Sequence, residues 1–463
     1  MSSLRVAIVG AGPAGFYAAE HLLKQDERPV EVDLFDRLPT PYGLVRAGVA
    51  PDHPKIKAVI RLYEKTAALP GFRFHGGVEV GRDVTVADLA ERYHAVVCAS
   101  GAAIDRSLGI PGEDLPGSHT ASEFVGWYNA HPDFADRAFE LPRRVVVVGN
   151  GNVAADMTRV LALSREELEV TDVAEHALDA LADSAVEEIV VLGRRGPAQA
   201  AFTNPEVREL GELLDCDVVV DPAELELDDA SRAFVESDDC SPTKRRNVEI
   251  FAGFASRAPA GRRRRIVLRF LGSPVEIRGA GRVESIVIGR NRIVRSDDGR
   301  LRAIDTGERE EIACGLVLRS IGYTGTPLAG LPFDAGRGTI PNDRGRVIDP
   351  GSGEPVAGRY VVGWIKRGPG GVIGTNRKDA QETVDALLED VARGLVPEPA
   401  GGASSAAVEA LLAERVPGHV TFAGWQAIDR AEVARGEPHG RPRVKFSDVE
   451  QMLDVARGRT TAR

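Results

Sequence analysis

Short runs of apolar residues, each followed by glycines, recur along this chain of 463 residues. The first run covers residues 6–9 and leads through a glycine-rich turn, 10–15, into a helix-like stretch at 16–23. A second strand-like run, 30–35, follows and ends at Asp36. This order predicts a strand, a tight turn, a helix and a second strand, which is the βαβ unit of a parallel sheet.

The glycines of the first turn have the spacing of a dinucleotide-binding fingerprint. Gly10 permits the tight turn, Gly12 lets the backbone approach a pyrophosphate, and Gly15 lets helix and strand pack closely. Asp36 can accept hydrogen bonds from the ribose hydroxyls, and its charge repels a 2′-phosphate. The first site is therefore predicted to bind FAD or NAD rather than NADP.

A second glycine-rich turn, residues 149–154, follows an apolar strand and opens another helix-like stretch. The next clear strand, 189–193, ends at Arg194 and Arg195, where the usual acid is missing. Because guanidinium groups pair well with phosphate, this site is interpreted as selective for NADPH. The alternative is two ordinary surface arginines. The long spacing between the turn and Arg194 requires a long helix or an excursion within residues 161–187.

Further strand-like runs on both sides of the second unit indicate that it interrupts the first. They are residues 95–102, 316–323 and 359–364, and a glycine-rich turn at 365–376 precedes a helix-like run at 378–388. Taken alone, that turn is typical of any βα loop. Beyond a linker at 397–405, helices are predicted at 406–415 and 447–457.

The predicted fold class is α/β, with two Rossmann-like dinucleotide-binding domains. An FAD-binding domain, residues 1–105 and 325–463, is interrupted by an NADP-binding domain, residues 106–324, and ends in a helical extension. The two sites have opposite preferences at the ribose 2′ position. The pair therefore predicts FAD in the first domain, NADPH in the second, and hydride transfer from NADPH to FAD.

Composition excludes several other classes of protein. The four cysteines are far apart and form no C-x-x-C pair, so an iron–sulfur module, a zinc ribbon and a thioredoxin-type pair are excluded, and no metal site is expected. The formal net charge of −11 argues against a general nucleic-acid binder. No apolar run has transmembrane length, and a strand begins close to the N-terminus, so a cytoplasmic oxidoreductase without a targeting peptide is expected.

The charge is distributed unevenly along the chain. Residues 211–240 carry a net charge of −10, and residues 241–270 carry +8. Two interpretations remain open. The basic stretch forms a docking face for an acidic partner, or the two stretches are solvated and neutralise each other.

Several longer motifs resemble those of the adrenodoxin-reductase-like ferredoxin–NADP reductases, and the mycobacterial type in particular. The motifs are Pro-Thr-Pro-Tyr-Gly-Leu-Val-Arg at 39–46, Ala-Pro-Asp-His-Pro-Lys at 50–55, Gly-Asn-Gly-Asn-Val-Ala at 149–154, Gly-Arg-Arg-Gly-Pro at 193–197 and Gly-Trp-Ile-Lys-Arg-Gly-Pro at 363–369. The similarity extends from Arg5 to about Val444.

The resemblance implies roles for individual residues. Positions that line FAD match Ala14, Asp36, Leu44, Val80, Trp364, Gly371, Val372 and Ile373. Positions that contact NADP match Arg106, Asn150, Gly151, Asn152, Val153, Arg194, Arg195, Glu206 and again Gly371. His53 and Glu209 match a pair that positions the nicotinamide or relays protons. The alternatives are a capping or packing role for His53 and a solvated helix face for Glu209.

The implied activity is that of an NADPH:ferredoxin oxidoreductase, in which NADPH passes a hydride to FAD and single electrons then reach an iron–sulfur ferredoxin. An acidic ferredoxin would dock on a basic face that includes Arg208, Lys244, Arg245, Arg246, Arg262, Arg263, Arg264, Arg265, Lys366 and Arg367. Other interpretations remain open: a flavin enzyme that reduces a quinone, a dye or oxygen, an electron-transfer subunit of a larger complex, and an NADPH-sensing flavoprotein.

Overall fold

Helices and strands alternate along most of the chain, and the computed structural model describes residues 3–400 and 404–459. The strands are β1 (Leu4–Val9), β2 (Val30–Asp36), β3 (Phe72–Gly76), β4 (Ala95–Cys98), β5 (Ile104–Asp105), β6 (Ser118–Thr120), β7 (Arg144–Val148), β8 (Glu188–Leu192), β9 (Cys216–Val220), β10 (Arg264–Arg269), β11 (Gly272–Arg278), β12 (Ser285–Arg295), β13 (Leu301–Ala313), β14 (Leu316–Arg319), β15 (Tyr323–Thr324), β16 (Asn342–Asp343), β17 (Arg346–Ile348) and β18 (Pro355–Val361). The α-helices are α1 (Pro13–Lys24), α2 (Leu44–Ala47), α3 (Pro54–Lys57), α4 (Ile60–Ala67), α5 (Val86–Ala90), α6 (Ala121–Tyr128), α7 (Asn152–Ala162), α8 (Arg165–Leu168), α9 (Glu175–Ala182), α10 (Asn204–Leu210), α11 (Asp229–Glu236), α12 (Pro242–Ala255), α13 (Trp364–Arg367), α14 (Thr375–Ala392), α15 (Ser405–Arg415), α16 (Phe422–Gly436) and α17 (Val449–Ala456).

These elements group into two units. The first unit consists of the described residues of Met1–Val49, His53–Ile104 and Gly322–Arg463. The second consists of Ala50–Asp52 and Asp105–Ile321, so its main segment interrupts the first in sequence. The predicted domain boundaries, and the assignment of one cofactor to each domain, stay a prediction.

The first unit is built on a seven-stranded sheet in the order β16-β17-β18-β4-β1-β2-β3. The five strands from β18 to β3 are parallel, and every residue of β1 is buried. Side chains of β1 alternate between two clusters. Val6 and Ile8 pack with residues of α1 and α14, whereas Ala7 and Val9 pack with residues of α5. Because β1 is covered on both faces, its sequence is a nearly continuous apolar run, and this run predicts the strand.

The second unit contains a six-stranded sheet in the order β6-β14-β7-β8-β10-β9, parallel throughout, and a three-stranded antiparallel sheet, β11-β12-β13. Side chains of the central strand β7 also alternate between different hydrophobic clusters. Val145 and Val147 pack with residues of α7, and Val146 and Val148 pack with Ile286 and other residues of the antiparallel sheet. The predicted α/β class, with two parallel dinucleotide-binding sheets, is confirmed.

Several local predictions are refined. Residues 161–187 form no long helix, because the chain leaves the helical conformation at Leu163 and Ser164 then caps the short helix α8. Residues 401–403 of the predicted linker lie outside the described residues. The antiparallel sheet and α16 were not predicted. A charged residue, Glu432, is among those that α16 buries, which weakens its amphipathic pattern.

The helices of the two described stretches include none that is both long and apolar enough to cross a membrane.

Candidate functional site

The first glycine-rich turn lies at the carboxyl end of the parallel sheet in the first unit. Strand β1 runs between β2 and β4, and helices α1 and α5 pack on opposite faces. The chain therefore reverses its winding beside β1, and such a switch point leaves a crevice at the strand ends. Gly10 N donates to Phe35 O at 2.8 Å, and Ala99 N donates to Val9 O at 2.7 Å, which fixes the floor of that crevice.

The three fingerprint glycines have different surroundings. Gly10 has a φ of +112°, and a Cβ there would lie 2.4 Å from Ala99 O. A Cβ on Gly15 would lie 2.1 Å from Gly10 O. A Cβ on Gly12, by contrast, would meet no atom of the described residues within 4 Å. Gly10 and Gly15 are thus required by chain packing, whereas the space beside Gly12 is open to a ligand.

Asp36 is oriented by the same turn. Its Oδ2 accepts a hydrogen bond from Ala11 N at 2.8 Å, and its Oδ1 accepts one from Leu38 N at 3.0 Å. Burial raises the pKa of the Asp36 carboxyl, although these two hydrogen bonds and the charge of Arg37 act in the opposite direction. Because each carboxylate oxygen has further lone pairs, the carboxyl group can still accept from two ribose hydroxyls.

Helices α1 and α7 both begin directly after a glycine-rich turn and have no capping hydrogen bond from a described side chain, and their first turns carry no acid. Helices α5, α6 and α8, in contrast, begin with complete capping boxes. The first N–H groups of α1 and α7 therefore remain available, and such groups bind phosphate. Together with the open space beside Gly12, this arrangement fits the pyrophosphate of a dinucleotide.

Other residues predicted to line FAD converge on this turn. A Cβ on Gly43, next to Leu44, would lie 3.0 Å from Gly12 Cα, and a Cβ on Gly363, next to Trp364, would lie 2.6 Å from Ala14 Cβ. The side chain of Leu44 is 48% exposed, which is high for a leucine beside such a crevice.

The Trp364 ring stacks on Tyr323, with 5.9 Å between ring centroids. Val80 is buried in the cluster that also contains Val9 and Phe35. Gly371, Val372 and Ile373 precede α14, and of these Gly371 and Val372 are exposed. The exposed Val372 leaves apolar surface available beside this helix start.

The second glycine-rich turn lies at the carboxyl ends of β7 and β8. Gly149 N donates to Leu192 O at 2.9 Å, and a Cβ on Gly193 would lie 2.8 Å from Asn150 Nδ2. The amide nitrogen of Asn150 is buried and has no hydrogen-bond partner among the described residues. A buried donor without a partner is costly, so a ligand acceptor at this position fits the structure. Arg194 directly follows Gly193 and therefore starts from the same edge.

Arg194 and Arg195 lie in a loop whose backbone is held by hydrogen bonds from other elements. Asn291 Nδ2 donates to Arg194 O at 2.9 Å, and Leu271 N donates to Arg195 O at 3.2 Å. Within residues 3–400 and 404–459, neither guanidinium forms an ion pair with a carboxylate. Burial and the neighbouring charge of Arg194 lower the pKa of Arg195. Two adjacent cations without an acid form a site that favours a phosphate dianion.

Glu206 and Glu209 share one cation, Arg159 on α7. Arg159 Nη1 lies 3.3 Å from Glu206 Oε2 and 3.6 Å from Glu209 Oε2, and the guanidinium also pairs with Asp52 and Asp156. Although burial lowers it, the pKa of Arg159 is raised by these carboxylates. Sequence reasoning missed Arg159, because no signal in its helix distinguishes a buried arginine from a solvated one.

The remaining predicted residues are placed as follows. Asn152 Oδ1 accepts from Thr203 N at 2.8 Å, directly before α10, and Val153 packs against the core. Arg106 is exposed in the second unit. His53 is a buried residue of the first unit, and its side chain makes no capping hydrogen bond to a described residue of α3. The predicted pairing of His53 with Glu209 stays a prediction.

Part of the predicted basic face is wrong. Lys366 is only 9% exposed, and its Nζ lies 3.1 Å from Asp379 Oδ1 and 2.6 Å from Glu382 Oε2. Arg264 is 2% exposed, and its Nη1 donates to Leu163 O at 2.8 Å. Neither side chain presents a charge to a partner, because both are buried and satisfied internally.

The fold brings parts of the acidic and the basic stretch of the second unit into contact with each other. Asp217 on β9 accepts hydrogen bonds from the N–H groups of Gly261, at 2.9 Å, and Arg262, at 3.0 Å. Arg245 is half-buried, and its Nε donates to Val235 O at 2.9 Å. Arg208 and Lys244 form no ion pair with any acid that the structure describes. Fewer of the predicted cations are therefore available to a partner than the sequence suggests.

Comparisons with known proteins agree with this geometry. The pyridine nucleotide-disulphide oxidoreductase family model matches residues 4–191. The NADPH-ferredoxin reductase FprA of Mycobacterium leprae is 53% identical over 98% of each chain, and the mitochondrial NADPH:adrenodoxin oxidoreductase of Salvelinus fontinalis is 42% identical over 98% of this chain and 92% of its own. The structure of Mycobacterium tuberculosis FprA in complex with NADPH superposes with a TM-score of 0.92 at 50% identity, covering 99% of this chain and 100% of that one. On this identity over nearly its whole length, the chain belongs to the NADPH-ferredoxin reductase family.

Proposed function

We propose that this protein is an NADPH:ferredoxin oxidoreductase that binds FAD in the first unit and NADPH in the second. The observation that carries this proposal is the contrast between its two glycine-rich turns. Each leads into a helix that no described side chain caps, but one turn meets the carboxylate of Asp36, and the other lies beside Arg194 and Arg195. Opposite charges at the ribose position match FAD and NADPH respectively.

In the first unit, the backbone at Gly12 and the N-terminus of α1 hold the pyrophosphate, and Asp36 accepts from the ribose hydroxyls. Ala14, Leu44, Val80, Trp364 and residues 371–373 enclose the rest of FAD. When bound, FAD supplies the step that converts a two-electron hydride into the single electrons that an iron–sulfur protein accepts. The chain's own contribution is binding, orientation and exclusion of water.

In the second unit, Arg194 and Arg195 bind the 2′-phosphate, and the first N–H groups of α7 bind the pyrophosphate. The unpartnered Nδ2 of Asn150 donates to the nucleotide, and Arg106, Gly151, Asn152, Val153 and Glu206 complete its contacts within this unit. Gly371, which belongs to the first unit, stays predicted to contact NADP. His53 and Glu209 position the nicotinamide or hold a proton near it. Because hydride transfer needs no side-chain acid, these two residues adjust the rate rather than enable the reaction.

The visible absorption spectrum of the purified protein tests this function. Bands of oxidised flavin are expected, and anaerobic NADPH should bleach them because the hydride has no other acceptor. NADH at the same concentration should bleach them far more slowly, since it offers no 2′-phosphate to the two arginines. Absence of flavin bands, or bands that NADPH leaves unchanged, would contradict the proposal.

The proposed electron acceptor is an acidic ferredoxin that docks on a basic face of the second unit, in which Arg208 is exposed and Lys244 is half-buried. Arg208 on α10 and Lys244 on α12 support this choice, because Asn204 Nδ2 donates to Thr243 O at 2.8 Å and so joins the two helices. Arg245, Arg246, Arg262, Arg263 and Arg265 extend the proposed face, and Arg367, which belongs to the first unit, stays a predicted docking residue. Opposite charges on two partners raise the rate of encounter.

Reduction of an acidic ferredoxin is expected to slow by at least tenfold between about 0.02 and 0.5 M salt, because the Debye length falls well below 10 Å over this range. The replacement Arg208→Gln/Lys244→Gln should slow the reaction at low salt and flatten this dependence. Arg300→Gln/Arg302→Gln, which removes two exposed charges from the β12–β13 hairpin, is the matched control. A rate independent of salt, or equal effects of both pairs, would exclude docking on this face. Reduction of a neutral quinone should not respond to either pair.

We also propose a cytoplasmic location. All four cysteines are free and buried, which is compatible with a reducing compartment.

A further inference from the structure

The turn that precedes α2 has a conformation that its own sequence does not favour. Tyr42 has a φ of +81°, a region that residues with a Cβ rarely occupy. Its N–H donates to Ala11 O at 2.8 Å, and Gly43 lies against Gly12. The turn thus forms one wall of the open space beside Gly12, and the exposed Leu44 projects from it. A strained turn at this position persists only if the surrounding structure supports it.

That support comes from helix α16. Glu432 is fully buried, and Arg46, on the short helix α2 that follows the turn, donates to both of its oxygens, at 2.8 and 2.5 Å. The Arg46 guanidinium lies 5.2 Å from the centre of the Trp425 ring. Trp425 in turn packs edge-on against Tyr42, and its Nε1 lies 3.4 Å from the Tyr42 hydroxyl. Residues on α16 therefore contact Tyr42 at the start of the turn and Arg46 on the helix that follows it.

The Glu432 carboxylate is itself fixed by further contacts. Phe446 N donates to Oε1 at 2.9 Å, and Arg443 Nη1 lies 3.4 Å from Oε2. Burial raises the pKa of Glu432, but the charge and hydrogen bonds of Arg46, the charge of Arg443 and the hydrogen bond from Phe446 N together hold the pKa below its ordinary value. Lys445 Nζ also donates to Arg46 O at 3.3 Å. A fully buried, ionised carboxylate with bidentate pairing has a single geometry available to it.

We propose that Glu432 is a positioning residue for FAD: through Arg46 and Trp425 it holds the Tyr42–Leu44 turn against Gly12, so that flavin affinity depends on helix α16. This inference rests on the proposed binding of FAD in the first unit. Glu432 touches no predicted cofactor-binding residue directly. Its effect is therefore expected on the affinity for FAD, and not on the chemistry of bound flavin.

Titration of the apoprotein with FAD, followed by quenching of flavin fluorescence, tests the proposal. Glu432→Gln leaves the buried Arg46 guanidinium without its carboxylate, and Arg46→Gln leaves the buried Glu432 carboxylate with only the longer contact to Arg443. Each should weaken FAD binding by at least tenfold. The double variant has no unpaired charge, and its two amides can hydrogen-bond to each other. It should bind FAD within about threefold of the wild type. If the ion pair only stabilised the fold, the folded single variants would bind FAD as tightly as the wild type. The double variant would then have no lost affinity to restore.

Two further variants keep the result interpretable. Glu432→Asp retains the charge but is one methylene shorter, and it should fold and weaken FAD binding by about threefold. Asp390→Asn removes one member of another buried ion pair of the first unit, Arg346–Asp390 at 2.8 Å, and should lower the unfolding midpoint without changing FAD affinity. Folded Glu432 variants with wild-type affinity would overturn the positioning role and leave the function intact. Failure of the wild type to bind FAD would overturn both.

Discussion

Replacing both arginines of the β8 loop, as Arg194→Gln/Arg195→Gln, is expected to lower the preference for NADPH over NADH by about 100-fold. Two charge-assisted contacts with the 2′-phosphate would be lost, and a 100-fold change corresponds to about 2.7 kcal/mol. The loss should appear mainly in the KM for NADPH, because these contacts lie far from the transferred hydride and are equally strong in the ground and transition states. The measurement is the ratio of kcat/KM for NADPH and NADH.

The structure favours a large effect because neither guanidinium is paired with a carboxylate in the parts of the chain that it describes. No internal partner has to be released when a phosphate binds. The double replacement Arg300→Gln/Arg302→Gln removes the same net charge from the second unit and should leave the ratio unchanged. If the ratio changes equally in both double variants, only the overall charge matters, and the 2′-phosphate binds elsewhere.

Substitution of the central fingerprint glycine, Gly12→Ala, is expected to weaken FAD binding by about 10- to 100-fold and to leave the apoprotein stable. The φ and ψ angles of Gly12, −82° and −174°, are accessible to alanine, and the new Cβ would meet no described atom within 4 Å. The methyl group would instead occupy the space of the pyrophosphate, and overpacking of this kind costs about 1–3 kcal/mol. Flavin content after purification and the Kd for FAD measure the effect.

Gly151→Ala is the matched control for this prediction. A Cβ at Gly151 would lie 3.9 Å from Ala201 Cβ, so the second turn also tolerates alanine without a clash. The Gly151→Ala variant should retain FAD and bind NADPH more weakly. The Gly12→Ala variant should bind FAD more weakly and keep its affinity for NADPH. A fall in the unfolding midpoint of the Gly12→Ala apoprotein, with unchanged FAD affinity in the folded fraction, would assign Gly12 to chain packing instead.

Much of the fold could be predicted because its signals are local. Strands β1 and β7 are covered on both faces, so each appears in the sequence as an apolar run. Each run leads into glycines at the spacing that close packing of a strand, a turn and a helix requires. The charge at the end of the next strand, Asp36 in one unit, or just beyond it, Arg194 in the other, is the basis of the predicted nucleotide preference. The antiparallel sheet β11-β12-β13 was not predicted, since its exposed edge strand β13 carries charged residues in place of a clear alternation.

The sequence by itself determined the two βαβ units and the position of each glycine-rich turn at a strand end, and it predicted the opposite preferences at the ribose. These properties depend on residues that are close together along the chain. Only the tertiary structure decided which charges are available to a partner, since Lys366 and Arg264 carry the same charge as Arg208 but are buried. It also decided the pairing of Arg46 with Glu432, 386 residues apart. The physical reason is that the environment of a charged side chain is set by the groups that folding brings to it, and sequence neighbours do not reveal them.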